Sequence, residues 1–150
     1  MQRRLLDILA DPDNPDNWPL ELEVFKMEER KRKKLPHPHP NGLLCKFFCY
    51  LKKEYLVSNP LGDDEKPLDQ DKLEKITNID TCYNCIKDEI IDGVLYHNKD
   101  KELKWFIIDR EIPVMFPENL RDVVQERIFH DKYPAEMKKM GIDKPKFSNN

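Results

Sequence analysis

Four cysteines carry the clearest capacity for chemistry in this chain. They fall into two pairs, Cys45 and Cys49 in LCKFFCY and Cys82 and Cys85 in TCYNCI. Cys-x-x-Cys is the usual chelating half-site, because two intervening residues let both sulfurs reach one ion. Cys-x-x-x-Cys serves the same end when a helix presents it, since residues four apart share a face. Cys82 lies 33 residues beyond Cys49, ample chain for a closed site. The four thiolates suit a structural zinc, with an iron–sulfur cluster as the alternative on the same ligands. A competing reading makes Cys45 and Cys49 small apolar core residues beside Phe47 and Phe48. The sequence leaves that choice open. A redox role for Cys82–Cys85 lacks the βαβ context such motifs have.

Other reactive side chains give less. His37 and His39 alternate with prolines in PHPHP and read as an exposed, extended linker, because two imidazoles alone rarely close a metal site. His130 falls near the end of an expected helix, where an imidazolium suits the dipole. With four glycines in all there is no phosphate-cradling loop. No serine or cysteine sits in a nucleophile elbow, and the acids are scattered. The chain is expected to be non-catalytic.

Composition sets the bounds. The 150 residues are 39% hydrophobic and 37% charged, enough for one modest core. A net charge of −3 argues against nucleic-acid binding by bulk charge. No apolar run is long enough to span a membrane. The apolar stretch of MQRRLLDILADPDN meets Asp7 after two residues, unlike a secretory signal. A cytoplasmic location is expected, with thiols or ligands in place of disulfides.

The elements that must position these residues read as follows. Residues 3–10 form a short helix, stopped at Asp11-Pro12. Leu20, Leu22 and Val24 alternate with Glu21 and Glu23, a half-buried strand. EERKRKK over 28–34 is a solvated strand end or loop. Residues 43–57 form a helix with Leu44, Phe47, Phe48, Leu51 and Tyr55 as its apolar stripe. Pro67 opens a second helix reaching about Asn78, and Asp80-Thr81 caps a third. From Ile90 the pattern turns to strands, with Asp92-Gly93 and residues 97–101 as turn signals. Pro117 opens a helix to about Phe129, and a polar tail with a short helix at best closes the chain. The expected class is α+β: a small antiparallel sheet from 1–28 and 89–130, a helical insert over 29–88 and a tail over 131–150.

Two stretches carry a resemblance. RRLLDILADPDNPDNWPLELEVF resembles the opening of the small zinc-ribbon proteins that activate methyltransferases, the tRNA-methyltransferase activator subunit and its short relatives. That opening has Leu-Leu-x-Ile-Leu-x-Cys-Pro-x-Cys and a Pro-Leu strand. EIIDGVLYHNKDKELKWFIIDREIPVMFPENLRD resembles the family's second half, with Asp109, Ile112, Pro113, Val114, Met115 and Pro117 in its pattern. The resemblance covers the two β-rich ends and implies a zinc-ribbon-like sheet. The chain departs from the family at both knuckles. The first is Asp11-Pro12-Asp13-Asn14, and the second falls on His97-Asn98-Lys99-Asp100. Asp11, Asn14, His97 and Asp100 are a poor zinc set, so the knuckle is expected to keep its turn without a metal. Asp11 would cap that turn through its side chain and Pro12 would set its dihedral.

The resemblance also implies a job. Such activators dock on class I, S-adenosylmethionine-dependent methyltransferases that modify tRNA, rRNA or protein. They add strands at a sheet edge and cover an apolar patch without joining the chemistry. The implied docking residues are Trp105, Phe106, Ile108, Ile112, Val114, Met115 and Phe116. Ordinary core is the competing reading for each. The expectation is a non-catalytic partner of a larger catalytic subunit, with no direct nucleic-acid or membrane contact. The alternatives are a structural, metal-binding subunit of another multisubunit enzyme and a small iron–sulfur protein.

Overall fold

Leu20, Leu22 and Val24 point one way from an extended chain, and here the first strand, β1 (Glu21–Glu29), forms. A computed structural model describes residues 1–32, 36, 38–99 and 101–147. Before β1 lies a 3₁₀ turn, Arg3–Asp7, where the sequence suggests a longer α-helix. After it come β2 (Phe48–Cys49), β3 (Glu54–Tyr55), β4 (Val57–Ser58) and β5 (Lys66–Pro67). Helices α1 (Gln70–Ile76) and α2 (Ile79–Cys85) follow. The chain then returns as β6 (Asp88–His97), β7 (Lys104–Asp109) and β8 (Ile112–Pro113). It ends with a 3₁₀ turn (Glu118–Leu120), α3 (Val123–Lys132) and α4 (Pro134–Lys139). The fold is α+β, and its strand pairs are antiparallel. No helix among the described residues is long and apolar enough to cross a membrane.

The main sheet has the order β1-β6-β7-β8. Its inner strand β6 is buried almost throughout because both of its faces are covered. Leu95, Phe106 and Ile108 pack with Leu20, Leu22 and the N-terminal Leu6 on one face. Val94 and Ile107 meet Phe129 of α3 and Met137 of α4 on the other. Phe25 of β1 stacks on Phe129 with ring centroids 6.0 Å apart, joining the first strand to the C-terminal helices. At the far end of the β1–β6 ladder the Arg30 N–H donates to the Lys87 carbonyl at 2.8 Å, so the stems of the intervening segment lie side by side.

Asp92-Gly93 is not a turn. Both residues lie inside β6, and Gly93 pairs with Val24 where β1 begins a bulge. A Cβ on Gly93 would stand 2.5 Å from the Glu23 carbonyl oxygen. Close strand approach, not chain reversal, is what requires glycine there. The reversal comes later, at Arg110-Glu111, with φ of 49° and 72°. These are the left-handed residues of a two-residue hairpin between Asp109 and Ile112.

The segment between β1 and β6 is mixed rather than helical. Residues 43–57 form no helix; they carry the β2–β3 hairpin and the start of β4. Pro67 pairs with Val57 instead of opening a helix, and α1 begins at Gln70. α2 is capped one turn earlier than its Asp80-Thr81 suggests, by Asn78, whose side chain accepts from the Thr81 N–H at 2.9 Å. Pro117 precedes a 3₁₀ turn, and α3 starts afresh behind an Asp122 cap.

Candidate functional site: a four-thiol cluster, a metal-free turn and an open sheet edge

Asp7 organises the first cysteine pair. It is buried, and its carboxylate accepts the Lys46, Phe47 and Phe48 N–H groups at 2.7, 2.8 and 2.7 Å. Three consecutive amides aimed at one anion cannot also serve an α-helical ladder. This is why the apolar stripe of residues 43–57 does not become a helix. The chain curls around Asp7 with Cys45 at the entrance of the curl and Cys49 in β2 at its exit. Tyr50 ties this curl to the sheet, since its hydroxyl takes the Leu22 N–H at 3.0 Å. Trp18 stands against Phe48 and Tyr55, with centroids 5.9 and 5.7 Å apart.

The second pair arrives on α2, where Cys82 and Cys85 are three apart and share a side. All four cysteines are free thiols and line one small cavity of about 20 Å³, together with Arg3 and Arg4. Cys45, Cys49 and Cys82 also belong to one apolar cluster with Leu44, Leu56, Leu73 and Ile86. Burial raises the Cys82 thiol, and the nearby Leu44 backbone acts in the opposite direction. Burial pushes the Cys45 thiol far up, with help from Asp7 and the other three cysteines. Burial likewise pushes Cys85 up to about 11, and nearby Arg3 partly offsets this. Cys45 and Cys85 are therefore neutral near pH 7 when nothing is bound. As placed, no group of three or more His, Cys, Asp or Glu side chains among the described residues is set to hold a metal ion.

The Asp-Pro-Asp-Asn turn has a different character. Asp11 is buried, and its Oδ1 accepts the Asp13 N–H at 2.9 Å, closing the turn. Its Oδ2 accepts from Asn17 Nδ2 at 3.2 Å and lies 3.0 Å from Nε2 of buried His97. The Lys104 ammonium reaches Asp11 at 3.4 Å and Asp13 at 2.8 Å. Burial alone would raise the Asp11 carboxyl, but the Asp13 N–H, Asn17, His97 and Lys104 hold it below its ordinary value. Asn14 faces its own loop, accepting the Asp16 N–H at 3.2 Å. Asp100 lies outside the described residues. This set does not fit zinc: one oxygen already serves three partners, and one of those partners is a cation.

The implied docking residues separate by burial. Phe106 and Ile108 are 5% and 0% exposed and belong to the core, so they cannot anchor a partner. The Trp105 ring is covered by the Arg121 guanidinium, 4.3 Å from its centroid. Val114 and Met115 are half-buried against the two core faces. Ile112 and Phe116 remain, 64% and 46% exposed. Leu120, Val124 and Ile128 are also exposed, and the last two share one face of α3. β8 is the last strand of the sheet, and no strand among the described residues pairs with its outer side.

Sequence reasoning misses Asp7, Lys104 and Asp92, the three charged residues that hold these regions in shape. Asp92 is buried in β6 and takes the Arg110 N–H, the Lys132 ammonium and the Tyr133 hydroxyl at 3.0, 2.8 and 2.6 Å. The only sequence signal for Asp7 is an acid within an otherwise apolar run. His39 is exposed and His37 lies outside the described residues. His130 contacts the Ile142 carbonyl at 3.2 Å. No protein-family model, curated protein or solved structure matches this chain.

Proposed function

We propose that this chain is a non-catalytic partner subunit that docks on and stabilises a class I S-adenosylmethionine-dependent methyltransferase acting on tRNA, rRNA or protein. The observation that carries the reading is the outer edge of β8, flanked by exposed Ile112 and Phe116. It falls in the stretch whose resemblance implies docking. An extended segment of the partner would add to this edge through main-chain hydrogen bonds, while Ile112 and Phe116 fill apolar pockets. Val124 and Ile128 on α3 extend the apolar surface alongside. Binding to the folded partner alone raises its stability by mass action, which is how a subunit without catalytic groups sustains activity.

The test is affinity purification of the full chain from its own cells, with mass spectrometry of what accompanies it. A methyltransferase at one-to-one stoichiometry supports the proposal. Phe116→Asp should then weaken capture by about thirtyfold, the effect of losing a central apolar anchor. A complex of catalytic subunits without a methyl-donor site would overturn the methyltransferase assignment in favour of a structural subunit of another enzyme.

A further inference from the structure

We infer that Cys45, Cys49, Cys82 and Cys85 bind one zinc ion as a closed, structural tetrathiolate site. The site would pin the 45–49 curl to α2 within the segment between β1 and β6. Three observations on this chain support it. All four thiols line the same cavity although they come from a loop, a strand and a helix. That cavity measures about 20 Å³, room for a single ion. Arg3 and Arg4 line it too, and they offset the net charge of −2 that Zn²⁺ leaves on four thiolates.

The sulfurs do not stand in a finished coordination set, and the binding chemistry accounts for that. Protonated thiols have no reason to converge, and they pack as small apolar groups. Zinc displaces four S–H protons to solvent, four Zn–S bonds form, and no electron is transferred. Rotation about the cysteine side chains then brings the sulfurs to the ion, while Asp7 and the Asn78 cap keep the two backbones in place.

The experiment is metal analysis of the purified full chain, followed by Co²⁺ titration of protein stripped with a chelator. The expected result is one zinc per chain and a cobalt spectrum with thiolate charge transfer and strong tetrahedral d–d bands. Cys85→Ser should lower Zn²⁺ affinity on the order of a hundredfold or more. Zinc should protect the four thiols from alkylation in the unsubstituted chain, a readout that does not require any variant to fold. Free alkylation at saturating zinc, with no cobalt–thiolate band, would overturn the inference and leave the four as core residues. So would iron with acid-labile sulfide, or zinc that survives Cys85→Ser but is lost in His97→Ala. None of these outcomes depends on whether a methyltransferase is the partner.

Discussion

The main sheet and the cysteine segment solve the same problem with different means. The sheet pairs nine- and ten-residue strands and buries apolar side chains on both faces of β6. Among its described residues, the segment between β1 and β6 has only two-residue strands and two seven-residue helices. Its core mixes aliphatic side chains, Leu44, Leu56, Leu73 and Ile86 among them, with Cys45, Cys49 and Cys82. Apolar burial can carry the first region, whereas the second relies on point fasteners: the Asp7 carboxylate and the aromatic clasp of Trp18, Phe48 and Tyr55. The difference teaches where each region should fail.

Phe129→Ala should have the largest effect, about 4 kcal/mol, because it empties a fully buried site between β1, β7 and α4. Chemical denaturation should show a global loss, with sheet and segment falling together. Asp7→Ala should cost about 3 kcal/mol, since it strands three backbone donors. Here the loss should be local. Hydrogen exchange at residues 46–48 should accelerate while β6 stays protected, and uniform acceleration would erase the distinction between the regions. Gly93→Ala should cost about 2 kcal/mol through the clash with Glu23, read as a lower denaturation midpoint with β1 amides exposed first.

Acid should weaken the main sheet. Burial by itself raises the Asp92 carboxyl, but Lys132, Tyr133 and the Arg110 N–H outweigh it and hold the group below its ordinary value. Its contribution is complete above the usual carboxylate range and is lost as the pH falls through the depressed folded-state value. Asp11 behaves likewise. Stability should therefore drop below about pH 4, and Asp92→Asn should flatten that part of a thermal-denaturation series. The smallest effect should be a gain. Arg110→Gly, at a left-handed position with an exposed side chain, should raise stability by about 0.5 kcal/mol.

Alternation makes β1 legible in the sequence, and the apolar runs around Ile90 and Ile107 make the rest of the sheet so. The helix expected over 43–57 fails because its determinant is Asp7, remote in sequence and invisible to periodicity. The glycine of Asp92-Gly93 is legible as special, yet its reason is a neighbouring strand's carbonyl, which no local reading contains. Cys82 and Cys85 are legible as a helical pair. Cys45 and Cys49 reach the same cavity by a route that spacing does not disclose. Burial separates Phe106 from Phe116, and both look alike in the sequence.

The hydrogen bond from Arg30 to Lys87 carries a consequence for chain architecture. Everything in 31–86 leaves and re-enters the sheet through an opening one ladder rung wide, about 5 Å. To β1 and β6, that whole stretch is an oversized hairpin loop. Doubling such a loop costs only about 0.6 kcal/mol in closure entropy. The sheet is thus a socket that tolerates changes in the length of the module plugged into it, so long as the Tyr50 tie to Leu22 is kept.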